Sequence, residues 1–211
     1  TWQYERARQL DQPVGFATQM PMRLASSSIH AAAKRVRSGA WSVGRDNLDP
    51  VLEEGLDPGE PRADKWLEQD GPVIPPPEVV AAAKTLDEKD SKLQALIDRI
   101  LPLVRARRRL IIFTFSRYAL AHIVENLAPH MRVAEMHGDI QREDRWRIMS
   151  DFRNHEYDVL VASRVASEGL DFEFCSAIVN WDLPWNPMEI EQRIGRIDRF
   201  GQEEEKIAIF N

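Results

Sequence analysis

The later part of this chain specifies an α/β fold, a parallel β-sheet with helices on both faces, preceded by a helical segment and an irregular insertion. From about Glu78 to the end, short apolar runs alternate with stretches of helical periodicity. The runs are apolar at every position, as in Leu110-Ile111-Ile112-Phe113-Thr114, rather than at every second one. A strand with one face in water alternates. A strand covered on both faces does not, and covered faces mark parallel sheets with helical connections.

The elements follow in order. Residues 1–41 include Met20 to Arg37, rich in alanine and basic at its end, which predicts a helix from about Pro21 stopped by Gly39. Residues 42–77 are acidic and rich in proline and glycine. Leu56-Asp57-Pro58-Gly59-Glu60-Pro61 and Gly71 to Pro77 break regular structure, so this stretch reads as an insertion or linker with a solvated surface. Residues 78–211 carry the sheet. Asp90-Ser91 opens a helix with Leu93, Leu96, Ile97, Ile100, Leu101 and Val104 on one face. A strand at Leu110–Thr114 comes next, then a helix around Tyr118–Leu127 and a strand near Arg132–Glu135. Gln141–Phe152 is helical, and Asp158–Ala162 and Ala177–Asn180 are strands. A helix near Met188–Arg199 and a strand from Lys206 complete the series.

Composition sets limits. The chain has 211 residues, 43% hydrophobic and 29% charged, with a net charge of −6. That suits a sizeable core, and no global basic field draws the chain to nucleic acid. The single cysteine, Cys175, excludes an internal disulfide and reads as a buried structural thiol. The five histidines lack metal-ligand spacing, so no metal site is expected. No apolar run is long enough to span a bilayer and no signal pattern opens the chain, which points to a reducing, cytoplasmic setting. A chain that opens on Thr1 and stops within Ile207-Ala208-Ile209-Phe210 reads as part of something longer.

In parallel sheets, ligands sit beyond the carboxyl ends of the strands. That selects Ser116 and Arg117, His137 to Asp139, Ser163 to Asp171, and Trp181 to Pro187. No glycine is followed by Lys-Ser or Lys-Thr, so the phosphate loop of a nucleotide hydrolase is missing. Asp87-Glu88, with no apolar strand before it, reads as a solvated helix cap. By itself the chain is not expected to hydrolyse a nucleotide. Arg193, Arg196 and Arg199 recur at three-residue intervals, which on a continuous helix puts Arg196 and Arg199 on one face, one turn apart. Two guanidiniums so placed can clamp a phosphate, and such arginines supplied across an interface accelerate phosphoryl transfer by about 10³ to 10⁵. Gly195 between them allows close approach of a backbone or nucleotide. A surface helix with pairs to Glu189, Glu191 and Asp198 fits the same spacing equally well. Arg107-Arg108-Arg109, before a strand at the far end of the sheet, reads as a solvated turn.

Gln192-Arg193-Ile194-Gly195-Arg196-Ile197-Asp198-Arg199-Phe200-Gly201-Gln202 resembles the last motif of superfamily-two helicases, in the form found in SWI/SNF-type ATPases and their bacterial relatives. Four further segments resemble other parts of that family, in the expected order. Leu110 to Arg117 is similar to motif IV, and His137-Gly138-Asp139 with Gln141 and Arg145 to the adjoining backbone-contact segment. Val161 to Asp171 is similar to motif V, and Asn180-Trp181-Asp182-Leu183-Pro184-Trp185-Asn186-Pro187 to the segment that precedes motif VI. The likeness covers about Ser91 to the C-terminus. Glu168-Gly169-Leu170-Asp171 leans toward bacterial and DEAD-like forms.

The resemblance implies the second RecA-like lobe of a DNA helicase or translocase, whose first lobe, in the same polypeptide, holds most of the ATP and magnesium. It implies that Arg196 and Arg199 are arginine fingers, with Gln192 beside them and Gly169 and Asp171 toward the nucleotide sugar. It implies that Ser116, Arg117, Gly138, Arg145 and Ser163 face the backbone of DNA, expected to be duplex. Phosphate contacts position a strand without reading its sequence, as a translocating motor requires. Trp181 and Trp185 could stack on bases, but packing is the preferred reading of both. A non-motor binding module and a DEAD-type RNA helicase lobe stand as alternatives.

Overall fold

The structure, a computed structural model, describes residues 8, 22–39, 75–86, 89–163, 169–184 and 186–211. The stretch 42–74, Pro21, Asp87-Glu88, Arg164 to Glu168 and Trp185 lie outside the described residues. Two compact units divide the chain, Thr1–Asp90 and Ser91–Asn211.

In the first unit, residues 22–27 are helical and a second helix, α1, spans Ile29–Arg37. The single helix expected from Pro21 is therefore two. Ser28 is extended (φ −152°, ψ 108°) and its hydroxyl accepts from the Ala31 amide, so it restarts the helix as an N-cap. Ala31, Ala32, Ala33 and Val36 form the buried face, and Gly39 (φ +69°) ends the run in the left-handed region. A helix not expected from the sequence, α2 (Pro77–Thr85), begins with proline in its first turn, where a missing N–H costs nothing. It packs against α1.

The second unit is a five-stranded sheet in the order β2-β3-β1-β4-β5, parallel throughout. Its strands are β1 (Leu110–Phe113), β2 (Val133–Met136), β3 (Val159–Ala162), β4 (Ala177–Asn180) and β5 (Ala208–Phe210). The helices are α3 (Ser91–Arg105), α4 (Arg117–Leu127), α5 (Arg142–Arg153) and α6 (Pro187–Ile194). Because side chains alternate along a strand, β1 feeds two cores. Leu110 and Ile112 join Leu93, Leu96 and Ile100 of α3 and Ile123 and Leu127 of α4. Ile111 and Phe113 join Met149 and Phe152 of α5 with Phe172, Cys175 and Ile197. All four β1 side chains are at most 1% exposed, each worth about 1.5–3 kcal/mol of apolar burial.

Two further expectations are corrected. The helix expected to run to Arg199 ends at Ile194, where Gly195 caps it and its amide returns to the Glu191 carbonyl. Arg196 and Arg199 therefore sit on successive turns beyond the helix. The Arg107–Arg109 run is a solvated turn only at its start. Arg107 takes φ 57°, whereas Arg109 is buried, donates to the Arg153 carbonyl and lies 4.7 Å over the Phe174 ring. Burial lowers the Arg109 pKa from its ordinary value.

Candidate functional site

The carboxyl ends of β1 and β2 present the first group. Ser116 N-caps α4, its hydroxyl accepting from the Ala119 amide at 3.2 Å, and places Arg117 on the first turn. Arg117 bonds Asp139 at 2.6 Å and lies 3.5 Å from His137 Nδ1. From the other side, Arg145 of α5 donates to the carbonyls of Gly138 (2.7 Å) and Ile140 (2.8 Å). Two guanidiniums thus hold the His137–Ile140 loop, leaving Gly138 and Asp139 exposed on it.

Two of the expected backbone contacts are placed differently. Ser116 is 1% exposed because its hydroxyl serves the helix cap. Ser163, at the end of β3, is 2% exposed, with its amide bonded to the Met136 carbonyl. The Ser163 hydroxyl has no hydrogen-bond partner among the described residues. Trp181 is packed in the α3/α4 core with Lys92 Nζ 4.2 Å from its ring.

The second group surrounds an open depression of about 580 Å³, lined by Gly169, Asp171, Gln192, Gly195, Arg196 and Arg199. The lining comes together because the turn after Ile194 zips onto the chain after Gly169. The Arg196 guanidinium donates to the Leu170 carbonyl at 3.2 Å, and the Phe172 amide donates to the Arg196 carbonyl at 2.9 Å. Arg199 pairs with the Asp171 carboxylate and bonds the Gly195 carbonyl through Nε at 2.9 Å. Gly169 takes φ +74°, a conformation that side-chain-bearing residues rarely adopt. At Gly195 a Cβ would come within 3.3 Å of the Glu191 carbonyl oxygen, tight for any side chain.

The chemistry of this lining suits phosphate. Two guanidiniums and an amide offer many donors, and the one carboxylate suits a hydroxyl. The Asp171–Arg199 pair is about half exposed (50% and 47%), so it is worth about 1 kcal/mol or less. A polyanion carrying several charges can displace so weak a hold. Among the described residues, no group of histidine, cysteine and carboxylates could hold a metal ion.

Four residues matter more than their sequence setting suggests. Arg193 is buried and donates to Asn180 Oδ1 at 2.7 Å, with its guanidinium 5.0 Å over Phe113. Asp182 accepts from the Thr114 hydroxyl and the Phe115 amide. Gln202 bonds the carbonyls of Cys175 (2.8 Å) and Ile197 (3.1 Å). Thr114 and Asp182 end β1 and β4, and nothing in the sequence says those strands are neighbours.

A parallel sheet carrying an arginine-lined depression on its last helix–turn segment is the arrangement of a helicase C-terminal lobe. The chain belongs to the helicase conserved C-terminal domain family, whose model matches residues 89–201. It is 48% identical over 63 residues to the uncharacterized ATP-dependent helicase YqhH of Bacillus subtilis, covering 30% of this chain and 11% of that one. It is 43% identical over 70 residues to the ATP-dependent RNA helicase FAL1 of Meyerozyma guilliermondii, covering 33% of this chain and 18% of that one. The chain therefore spans less than a fifth of either relative. The crystal structure of the C-terminal part of the Fun30 ATPase domain superposes with a TM-score of 0.54 at 18% identity, covering 64% of this chain and 45% of that one. That likeness is one of fold, the RecA-like fold of such lobes. Among the described residues, no helix is long and apolar enough to cross a membrane.

Proposed function

We propose that this chain is the second motor lobe of an ATP-dependent DNA helicase or translocase of SWI/SNF-like, bacterial type. Residues 1–41 serve as an inter-lobe segment and 42–77 as an insertion ahead of the lobe. A first lobe of the same polypeptide holds most of the ATP and its magnesium. Arg196 and Arg199 bind and orient the phosphates and offset the charge that builds on them during transfer, as preorganised donors do best. Gln192 steadies the same end, and Gly169 and Asp171 approach the sugar. Arg117, Gly138 and Arg145 meet the backbone of duplex DNA, with Ser116 and Ser163 shaping the edge beneath it. The lobe alone is inactive, and a reducing, cytoplasmic compartment suits its one buried cysteine.

The observation that carries this reading is a shared depression. Gly169 and Asp171 of one segment and Gln192, Arg196 and Arg199 of another, chosen from sequence, line one opening. The test is DNA-stimulated ATP hydrolysis by a protein holding both lobes. Arg196→Ala is expected to lower the rate by about 10³-fold or more. An unchanged rate removes the finger assignment.

A second reading, an RNA-dependent motor, is favoured by one finding, the identity to an ATP-dependent RNA helicase over 70 residues. Comparing ATPase stimulation by duplex DNA and by single-stranded RNA separates the two.

A further inference from the structure

The strand-facing loop and the finger-bearing turn are joined through the interior. At the loop end, the Ser116 amide donates to Thr114 Oγ1 (3.2 Å), and the Phe115 amide donates to Asp182 Oδ2 (3.3 Å). The Thr114 hydroxyl in turn donates to the same Asp182 oxygen. On the far side of Asp182, its backbone carbonyl accepts from Arg193 NH1 at 3.4 Å, and that nitrogen also bonds Asn180 Oδ1 at 2.7 Å. The Arg193 carbonyl accepts from the Arg196 amide at 3.2 Å. Thr114, Ser116, Asn180, Asp182 and Arg193 are all no more than 8% exposed. In so dry a setting these bonds are strong, and a missing partner is not replaced by water.

We infer that Thr114, Asp182 and Arg193 form a buried bridge that holds the arginine-finger turn in register with the strand-facing loop, making them positioning residues for phosphoryl transfer. None of the three lines the depression, and each acts through another group. The bridge runs across β1 and β4, which are paired side by side (Phe113 opposite Asn180), so both strand ends must move together. A shift of the Ser116–Arg117 segment on binding a strand pulls on the Phe115 and Ser116 amides. It thereby bears on Asp182, and through Arg193 on the Arg196 backbone. Stimulation of hydrolysis by nucleic acid then needs no contact between strand and nucleotide. The role given to these residues rests on the function proposed above.

The test compares the whole chain with Thr114→Val, which keeps the shape and removes the hydroxyl, and with Thr114→Ser, which restores it. Amide hydrogen exchange is followed at Gly195, Arg196 and Ile197, with α5 as an internal control. Without any ligand, Thr114→Val is expected to speed exchange at the three amides by about five- to tenfold, the worth of one net hydrogen bond, and Thr114→Ser to return it to the wild-type rate. Faster exchange confined to 115–120 and 181–183, or a serine variant that behaves like valine, overturns the bridge. If Thr114→Val speeds exchange everywhere, Asp182→Asn carries the same expectation and the same refutation. A short DNA duplex is then added. Slower exchange at both 137–140 and 195–197 in the wild type, with only the first effect left in Thr114→Val, is the expected result. Equal slowing at both places in Thr114→Val overturns the bridge. Absence of slowing at 137–140 in the wild type removes the nucleic-acid face of the proposed function, while the ligand-free measurement still decides the bridge.

Discussion

Replacing Gln202 by alanine separates what the last motif does for the fold from what it does for chemistry. The Gln202 side chain makes three hydrogen bonds: Nε2 donates to the carbonyls of Cys175 and Ile197, and Oε1 accepts from the Glu204 amide at 3.0 Å. A net protein hydrogen bond is worth about 0.5–1.5 kcal/mol. Gln202 is only half-buried, so water replaces part of what is lost, and the lower half of that range applies. The sum is about 2 kcal/mol for the three. The Glu204–Arg108 pair adds little, because both partners are 37% exposed. Urea unfolding, followed by the fluorescence of buried Trp181, measures the change, and about 2 kcal/mol is expected to lower the midpoint by about 1 M. Arg199→Ala is the control, since a half-exposed ion pair and an exposed bond to the Gly195 carbonyl together cost about 1 kcal/mol. A loss below about 0.5 kcal/mol for Gln202→Ala, the range of an ordinary surface change, refutes the reasoning. So does a control that costs as much as the test.

Two more outcomes follow from titratable groups. Burial alone would raise the Asp158 carboxyl, but hydrogen bonds from the Arg132 side chain and backbone outweigh it and hold the group below its usual range. A depressed folded pKa stabilises above the unfolded value of about 4 and is lost as pH falls through the folded one. The advantage of wild type over Asp158→Asn should therefore be full at neutral pH and shrink below about pH 4, and a constant gap in acid unfolding curves would contradict it. Burial pushes the Cys175 thiol well up, with the side chain fully enclosed. Iodoacetamide should therefore label it only in denaturant, as mass spectrometry can check, and rapid native labelling would show the pocket around it to be open.

Strand positions were legible because a strand covered on both faces needs unbroken apolar residues. β4 falls on Ala177–Asn180 as the pattern requires, and α3 buries Leu93, Leu96 and Ile100 as its spacing requires. Strand order was not legible, because period and propensity describe one segment at a time and pairing is a property of two. That is why the meeting of Thr114 and Asp182, which requires β1 beside β4, has no signal in the sequence. Ser28 and Ser116 take their places for one shared reason. A serine hydroxyl satisfies the nearest bare helix amide before anything distant, so Ser28 split a helix and Ser116 turned inward. Arg109 reversed the usual rule for charged runs, because the Phe174 face and the Arg153 carbonyl give a buried guanidinium its partners.

The arginine spacing shows how residues can line one depression without sharing one helix. On a continuous helix, Arg196 and Arg199 would stand one above the other, and a single surface could hold both. The helix instead stops at Ile194, and the next turns carry each guanidinium to a different neighbour on the segment after Gly169. Leu170 takes Arg196 through its carbonyl, and Asp171 takes Arg199 through its carboxylate. The two holds differ in kind. Both backbones are fixed at both ends: Arg196 through its amide to the Arg193 carbonyl and its carbonyl to the Phe172 amide, Arg199 through its amide to the Ile197 carbonyl and its carbonyl to the Gln202 amide. The Arg199 side chain bonds the Gly195 carbonyl and a half-exposed charge partner, and a phosphate can outbid the second. The side chains, not the backbones, differ: Arg196 bonds a main-chain carbonyl and Arg199 a carboxylate that an anion can displace. Consecutive residues 170 and 171 answer the two arginines in turn, so the segment after Gly169 and the turn after Ile194 are joined side by side.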